Sequence, residues 1–143
     1  MFLAALVLAG CLLLRGTGLL ASEGEKPVAR DYALERYAFG RPIGGYQAIK
    51  HKLADVFVAN EVARANAYYG AWALSSDAPE LPLAAAAARV AASNAYWQAS
   101  KENIQAHGGM GYTWEVDCHL FYRRAKLLAV QAGDFHDRQE DVR

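Results

Sequence analysis

LAAAAARVAASNAYWQASKENIQAHGG, residues 83–109, is the stretch that decides the fold. Leu83, Ala87, Val90, Asn94, Trp97 and Ile104 recur at three- and four-residue steps and a full double turn, the period of one helical face. Ala84 to Ala88 are strong helix formers, and their small side chains let a neighbouring backbone come close. Gly108 and Gly109 follow where a helix C-terminus wants a left-handed residue. The spacing predicts a helix from Glu80 to His107, stopped by a glycine turn.

The same period extends in both directions. Upstream, Leu53, Val56, Phe57, Ala63, Ala67, Ala71 and Leu74 predict a helix over 46–74, ended by Ser75-Ser-Asp-Ala-Pro79, with His51, Lys52, Asp55 and Glu61 on its other faces. A shorter helix is expected from Pro27 to Phe39, stopped by Gly40, Pro42 and Gly44-Gly45. Downstream, Leu120, Phe121, Leu127, Leu128 and Gln131 predict a helix from Glu115 to Ala132. Gly133 closes it, and Asp134 can cap a terminal helix reaching Arg143. No window shows the two-residue alternation of a half-buried strand. The expected fold class is all-α, an antiparallel four-helix bundle.

A chain of 143 residues suits one core. Its formal charge balances to zero, so nothing in it attracts nucleic acid or an acidic membrane surface. Cys11 and Cys118 lie far apart without C-x-x-C spacing, which excludes a disulfide framework and a cysteine zinc site and makes a reducing, cytoplasmic compartment the default. Residues 1–25 form a separate apolar segment ahead of the domain at 26–143, with Gly16 to Glu25 as its loop. The uncharged run Phe2 to Leu14 is shorter than the roughly 20 residues a bilayer core requires. The segment reads as a first bundle helix of a chain that begins mid-domain. The alternative is a lipoprotein anchored at Cys11, because Leu8-Ala-Gly-Cys11 fits that cleavage pattern, although no basic residue precedes Arg15.

Few residues announce chemistry by themselves. His51, His107, His119 and His136 lack metal-ligand spacing, and scattered helical histidines are usually surface or hydrogen-bonded core. Asp134, His136, Asp137, Glu140 and Asp141 read as a solvated helix face. Gly108-Gly-Met-Gly111 could cradle a phosphate through exposed N–H groups, or it could be an ordinary connection between helices. It follows no strand and lacks G-x-G-x-x-G spacing, which excludes a dinucleotide-binding βαβ unit.

Four blocks in order supply more: Glu35-Arg-Tyr-Ala-Phe-Gly-Arg-Pro-Ile43, Gln47-Ala-Ile-Lys-His-Lys-Leu-Ala-Asp55, Ile104-Gln-Ala-His-Gly-Gly-Met-Gly-Tyr-Thr113 and Arg123-Arg-Ala-Lys126. Together they resemble the C-terminal domain of the acyl-CoA dehydrogenases, over about Ala29 to Gln131. The resemblance implies a helical bundle that binds FAD between subunits and supports oligomerisation, as part of an enzyme that dehydrogenates an acyl-CoA thioester at its α and β carbons. It implies that Arg36 and Phe39 meet the cofactor, that Gln47 lies near its adenine end, and that Gln105, Gly108 and Gly109 form the turn approaching the adenosine and pyrophosphate. A homo- or hetero-oligomer of such subunits, acyl-CoA and an electron-transfer flavoprotein are the partners it allows.

The family's usual proton acceptor is a glutamate just before a glycine. Here Ala132 precedes Gly133, and alanine accepts no proton. Some members place the base on the domain's first helix, yet Met1 to Ala21 holds no carboxylate. Three explanations stay open: an N-terminally incomplete product, a non-catalytic subunit or assembly module of a hetero-oligomeric enzyme for bulky steroid or cyclic thioesters, or a substitute carboxylate such as Glu115 or Asp134. The isolated chain is not expected to turn over substrate.

Overall fold

The computed structural model describes residues 28–131. The apolar segment 1–25 with Cys11, and Ala132, Gly133, Asp134 and His136, lie outside the described residues. Four helices are described: α1 (Val28–Glu35), α2 (Gln47–Ser75), α3 (Leu81–His107) and α4 (Cys118–Gln131). The all-α helical bundle expected from the periodicity is what the chain forms. Among the described residues no helix is long and apolar enough to cross a membrane.

α2 and α3 form an antiparallel hairpin. At its closed end the helices are joined through Ser76 to Glu80, where Asp77 takes a positive φ of 47° and the Leu81 N–H donates to the Ala78 carbonyl. At its open end Lys52 Nζ meets Glu102 Oε2 at 2.7 Å. Between them, Ala63 and Ala67 pack with Ala95, flanked by Ala59 and Ala91. Residues this small bring the two backbones close, so a long interface is built with few large side chains.

The predicted helix positions hold, but two predicted faces are turned. On α3 the buried line runs through Ala84, Ala88, Ala92, Ala95 and Ile104, while Leu83 and Asn94 point outward. On α2 Val56, Ala63 and Ala67 are buried as expected, with Asn60 and Gly70 joining them, and Phe57 is exposed. The cause is size: close helix approach selects alanine and glycine for the seam, so the larger apolar residues fall elsewhere on the circumference.

Two further corrections concern ends. The first helix stops at Glu35, not Phe39, and a small antiparallel hairpin follows, β1 (Tyr37–Ala38) against β2 (Arg41–Pro42), with Tyr37 opposite Pro42. Its two-residue loop has positive φ at both positions, 51° at Phe39 and 81° at Gly40, the geometry a tight hairpin demands. Two residues per strand are too few to leave an alternating pattern. α4 begins at Cys118 instead of Glu115, because Gly108–Tyr112 winds as a 3-10 helix and the chain then turns before α4.

Candidate functional site

Arg36, Phe39, Gln47, Gln105, Gly108 and Gly109 are separated by most of the domain's length, yet the helix order gathers them at the open end of the hairpin. Lys52 and Glu102 bring the first turns of α2, which start at Gln47, beside the last turns of α3, which carry Gln105. α1 joins them through Tyr32, whose ring stacks on His107 at 4.1 Å between centroids. From α1 the chain passes Arg36, whose carbonyl accepts the Ile43 N–H at 2.8 Å, through a 3-10 turn at Ile43–Gly45, into α2.

The hairpin carrying Phe39 is fastened to the same end. Tyr46, the residue before Gln47, donates its hydroxyl to the Ala38 carbonyl at 2.8 Å, and the Arg41 guanidinium covers its ring at 3.9 Å. Tyr46→Phe removes that hydrogen bond while keeping the ring. It is expected to cost about 1 kcal/mol and to increase amide exchange at Ala38 and Arg41 more than in α3, as hydrogen–deuterium exchange can report.

All six residues are exposed, and Phe39 stands 97% open at the hairpin tip. Gly108 has φ 59° and ψ −137°, a backbone that side-chain-bearing residues rarely adopt. A Cβ on Gly108 or Gly109 would meet nothing within 4 Å, so the backbone of this turn faces open space. The arrangement offers a guanidinium, a flat apolar ring, two amides and a glycine turn without side chains at one end of the bundle. That set can pair with phosphate oxygens, cover an aromatic ring and approach an anion closely.

Sequence reasoning missed what holds this surface together. His107 is buried and bridges three elements: it stacks on Tyr32 of α1, its Nδ1 donates to the Asn103 carbonyl at 2.8 Å, and the same atom lies 3.5 Å from Cys118 Sγ at the start of α4. A carbonyl only accepts, so Nδ1 carries the proton and the sulfur is a second, weaker acceptor. The position of His107 against the glycine turn was visible in the sequence, but its partners come from elements far away in the chain.

Burial pushes the Cys118 thiol up from its ordinary pKa, against the opposing effect of its own backbone N–H and of the Asn103 side chain. A fully buried thiol held in its neutral form is a poor nucleophile. Iodoacetamide at neutral pH is therefore expected to leave Cys118 unmodified in the folded protein and to alkylate it after unfolding, as peptide mass spectrometry would show.

Residues 12–135 match the family model described as the acyl-CoA dehydrogenase C-terminal domain. The chain belongs to this family. The acyl-CoA dehydrogenase IpdE2 of Mycobacterium tuberculosis is 48% identical to it over 95 residues, 66% of this chain and 28% of that protein. Butyryl-CoA dehydrogenase from Megasphaera elsdenii matches in structure with a TM-score of 0.74 at 26% identity, covering 98% of this chain and 33% of that one. The ChsE4–ChsE5 complex from M. tuberculosis shares the fold, with a TM-score of 0.85 at 22% identity over 98% of this chain and 36% of that one. The acyl-CoA dehydrogenase domain thus spans about a third or less of the relatives it matches.

Proposed function

We propose that this chain supplies the FAD-contacting and assembling C-terminal part of an acyl-CoA dehydrogenase, one wall of a cofactor site completed by another domain or subunit. The observation that carries the proposal is the convergence of Arg36, Phe39, Gln47, Gln105, Gly108 and Gly109 on one exposed end of the bundle. These residues fit the cofactor. The open backbone at Gly108 and Gly109 admits a phosphate that side chains would block, and the uncovered Phe39 ring offers a flat apolar face.

In this reading Arg36 pairs with pyrophosphate oxygens, the side-chain-free Gly108–Gly109 turn lets the same anion come close to the backbone, and Gln47 and Gln105 orient the adenosine portion by amide hydrogen bonds. Held by these residues in the complete enzyme, FAD would supply the hydride acceptor for dehydrogenation of an acyl-CoA thioester. This chain's contribution is to bind and orient. Ala132 at the family's usual base position cannot take the α-proton, which favours a second reading in which the chain is a non-catalytic subunit of a hetero-oligomeric enzyme. Co-purification with a dehydrogenase subunit that lacks a complete FAD site would separate that reading from a fragment of a single-chain enzyme.

The test uses the whole chain. Purified alone it is expected to retain no stoichiometric yellow flavin, while titration with ADP, followed by amide NMR, should shift the resonances of Gly108, Gly109 and the Arg36 region. Arg36→Ala should weaken that response about tenfold, the loss of one charge-assisted contact. Stoichiometric FAD on the isolated chain would overturn the shared-site division of labour, and shifts confined to another surface would overturn the site itself.

A further inference from the structure

Asparagine is rarely buried whole, yet Asn60 sits beside the alanine seam of α2 and is 1% exposed. Its amide oxygen and nitrogen have no hydrogen-bond partner among the described residues, and neither does the buried hydroxyl of Tyr96 on α3, a residue 3% exposed. The register puts these groups at one level. Counting eight residues inward from the Lys52–Glu102 pair reaches Asn60 on α2 and Asn94 on α3, between Ser93 and Tyr96. Helix rotation also turns them to one side. Ala59 and Ala95 belong to the seam, and Asn60 and Tyr96 each follow one of them by a single residue, about 100° further round. In antiparallel helices the same sense of rotation swings both side chains toward one flank of the seam. Arg64, one turn beyond Asn60, adds a third buried polar atom there, its Nε, while its Nη1 holds Glu61 at 3.1 Å.

A buried amide or hydroxyl left unpaired is costly, so native structures supply it with a partner. We infer that Asn60 and Tyr96 hold an internal water molecule on this flank, a hydrogen-bonded cross-link between α2 and α3. The chemistry selects water over an ion. The Asn60 amide both donates and accepts, so its partner must do the same: an anion offers Oδ1 no proton, and a metal cation offers Nδ2 no lone pair. Between helices packed through alanine the ligand must also be small. The water donates to Asn60 Oδ1 and accepts from the Tyr96 hydroxyl or from Arg64 Nε, within the two to four partners that buried waters take. Burial pushes the Tyr96 phenol above its ordinary pKa, against the opposing charge of Arg124. The hydroxyl therefore keeps its proton at neutral pH and remains a donor.

A crystal structure of the full chain, at a resolution that shows ordered water, tests the site directly. One water is expected within about 3 Å of both the Asn60 amide and the Tyr96 hydroxyl. Direct bonding of Asn60 to Tyr96, or of the Asn60 amide to residues outside 28–131, overturns the site. A water bound to Asn60 without Tyr96 overturns the cross-link. Thermal unfolding gives a second readout in solution. Tyr96→Phe should lower the midpoint of the parent chain by about 4 °C, the loss of one buried hydrogen bond. In Asn60→Leu, which keeps the volume of the side chain and removes both amide groups, the same change should cost less than half as much, because the water has already lost its other anchor. An equal loss in both backgrounds shows that the two residues share no ligand and overturns the inference.

Discussion

His107→Ala is expected to lower the stability of the domain by about 3 kcal/mol, the range for removing a buried aromatic side chain together with its hydrogen bond. In thermal unfolding that corresponds to roughly 10 °C for a domain of this size. The effect is large because the ring is shared. Its removal leaves Tyr32 without the partner 4.1 Å away, frees the Asn103 carbonyl from its 2.8 Å donor and opens a void beside Cys118. Alanine favours helix slightly more than histidine, which offsets only a few tenths of a kcal/mol. The loss should also be felt at the surface: Gly108 follows His107 directly, and α1 with Arg36 is held to this end by the stack. ADP-induced amide shifts at Gly108 and Gly109 should therefore shrink in His107→Ala. Tyr32→Phe, which keeps the stacking ring, should change stability and shifts little. If Tyr32→Phe proved as damaging as His107→Ala, the stack would not be the connecting element.

Gly111→Ala should cost roughly 2–3 kcal/mol, the upper range for forcing an atom into packed structure. A Cβ there would sit 2.8 Å from the Ile104 carbonyl oxygen, 3.0 Å from its Cα and 3.3 Å from His107 Cβ. Two of those three neighbours belong to the backbone of α3 and cannot swing aside. Gly109→Ala is the contrasting change. Its Cβ would meet nothing within 4 Å, so chemical denaturation should show stability within about 0.5 kcal/mol of the parent chain. A methyl group on the face that the proposed cofactor approaches should nevertheless weaken the ADP response. The pair separates two roles within one glycine turn: Gly111 for packing, Gly109 for access. Equal destabilisation by both would remove the basis for calling Gly109 a binding position.

Much of the fold could be read in advance because its signals are local. Alternating three- and four-residue steps, the alanine run Ala84–Ala88, the Ser75–Pro79 break and the glycines after His107 each act over a few residues. They placed three of the helices to within about three residues at either end. The hairpin at Tyr37–Pro42 was not legible. Its ladder is two residues long, and its loop places Phe39, an ordinary aromatic, at a positive φ that nothing in the local sequence announces. The inward faces of α2 and α3 were only partly legible, since helices rich in alanine and valine all round have no single apolar side to choose.

Sequence alone determined that this chain is helical, where its helices break, and which four blocks tie it to the acyl-CoA dehydrogenase C-terminal domain. Tertiary structure decided which alanines form the seam, that Leu83 and Phe57 face outward, and that Arg36, Phe39, Gln47, Gln105 and the glycine turn share one end of the bundle. The physical reason is range. Helix propensity, turn geometry and periodicity act between near neighbours along the chain. The site depends on contacts such as Lys52 with Glu102, Tyr32 with His107 and His107 with Cys118, which exist only after the antiparallel hairpin has closed and its neighbours have packed against it.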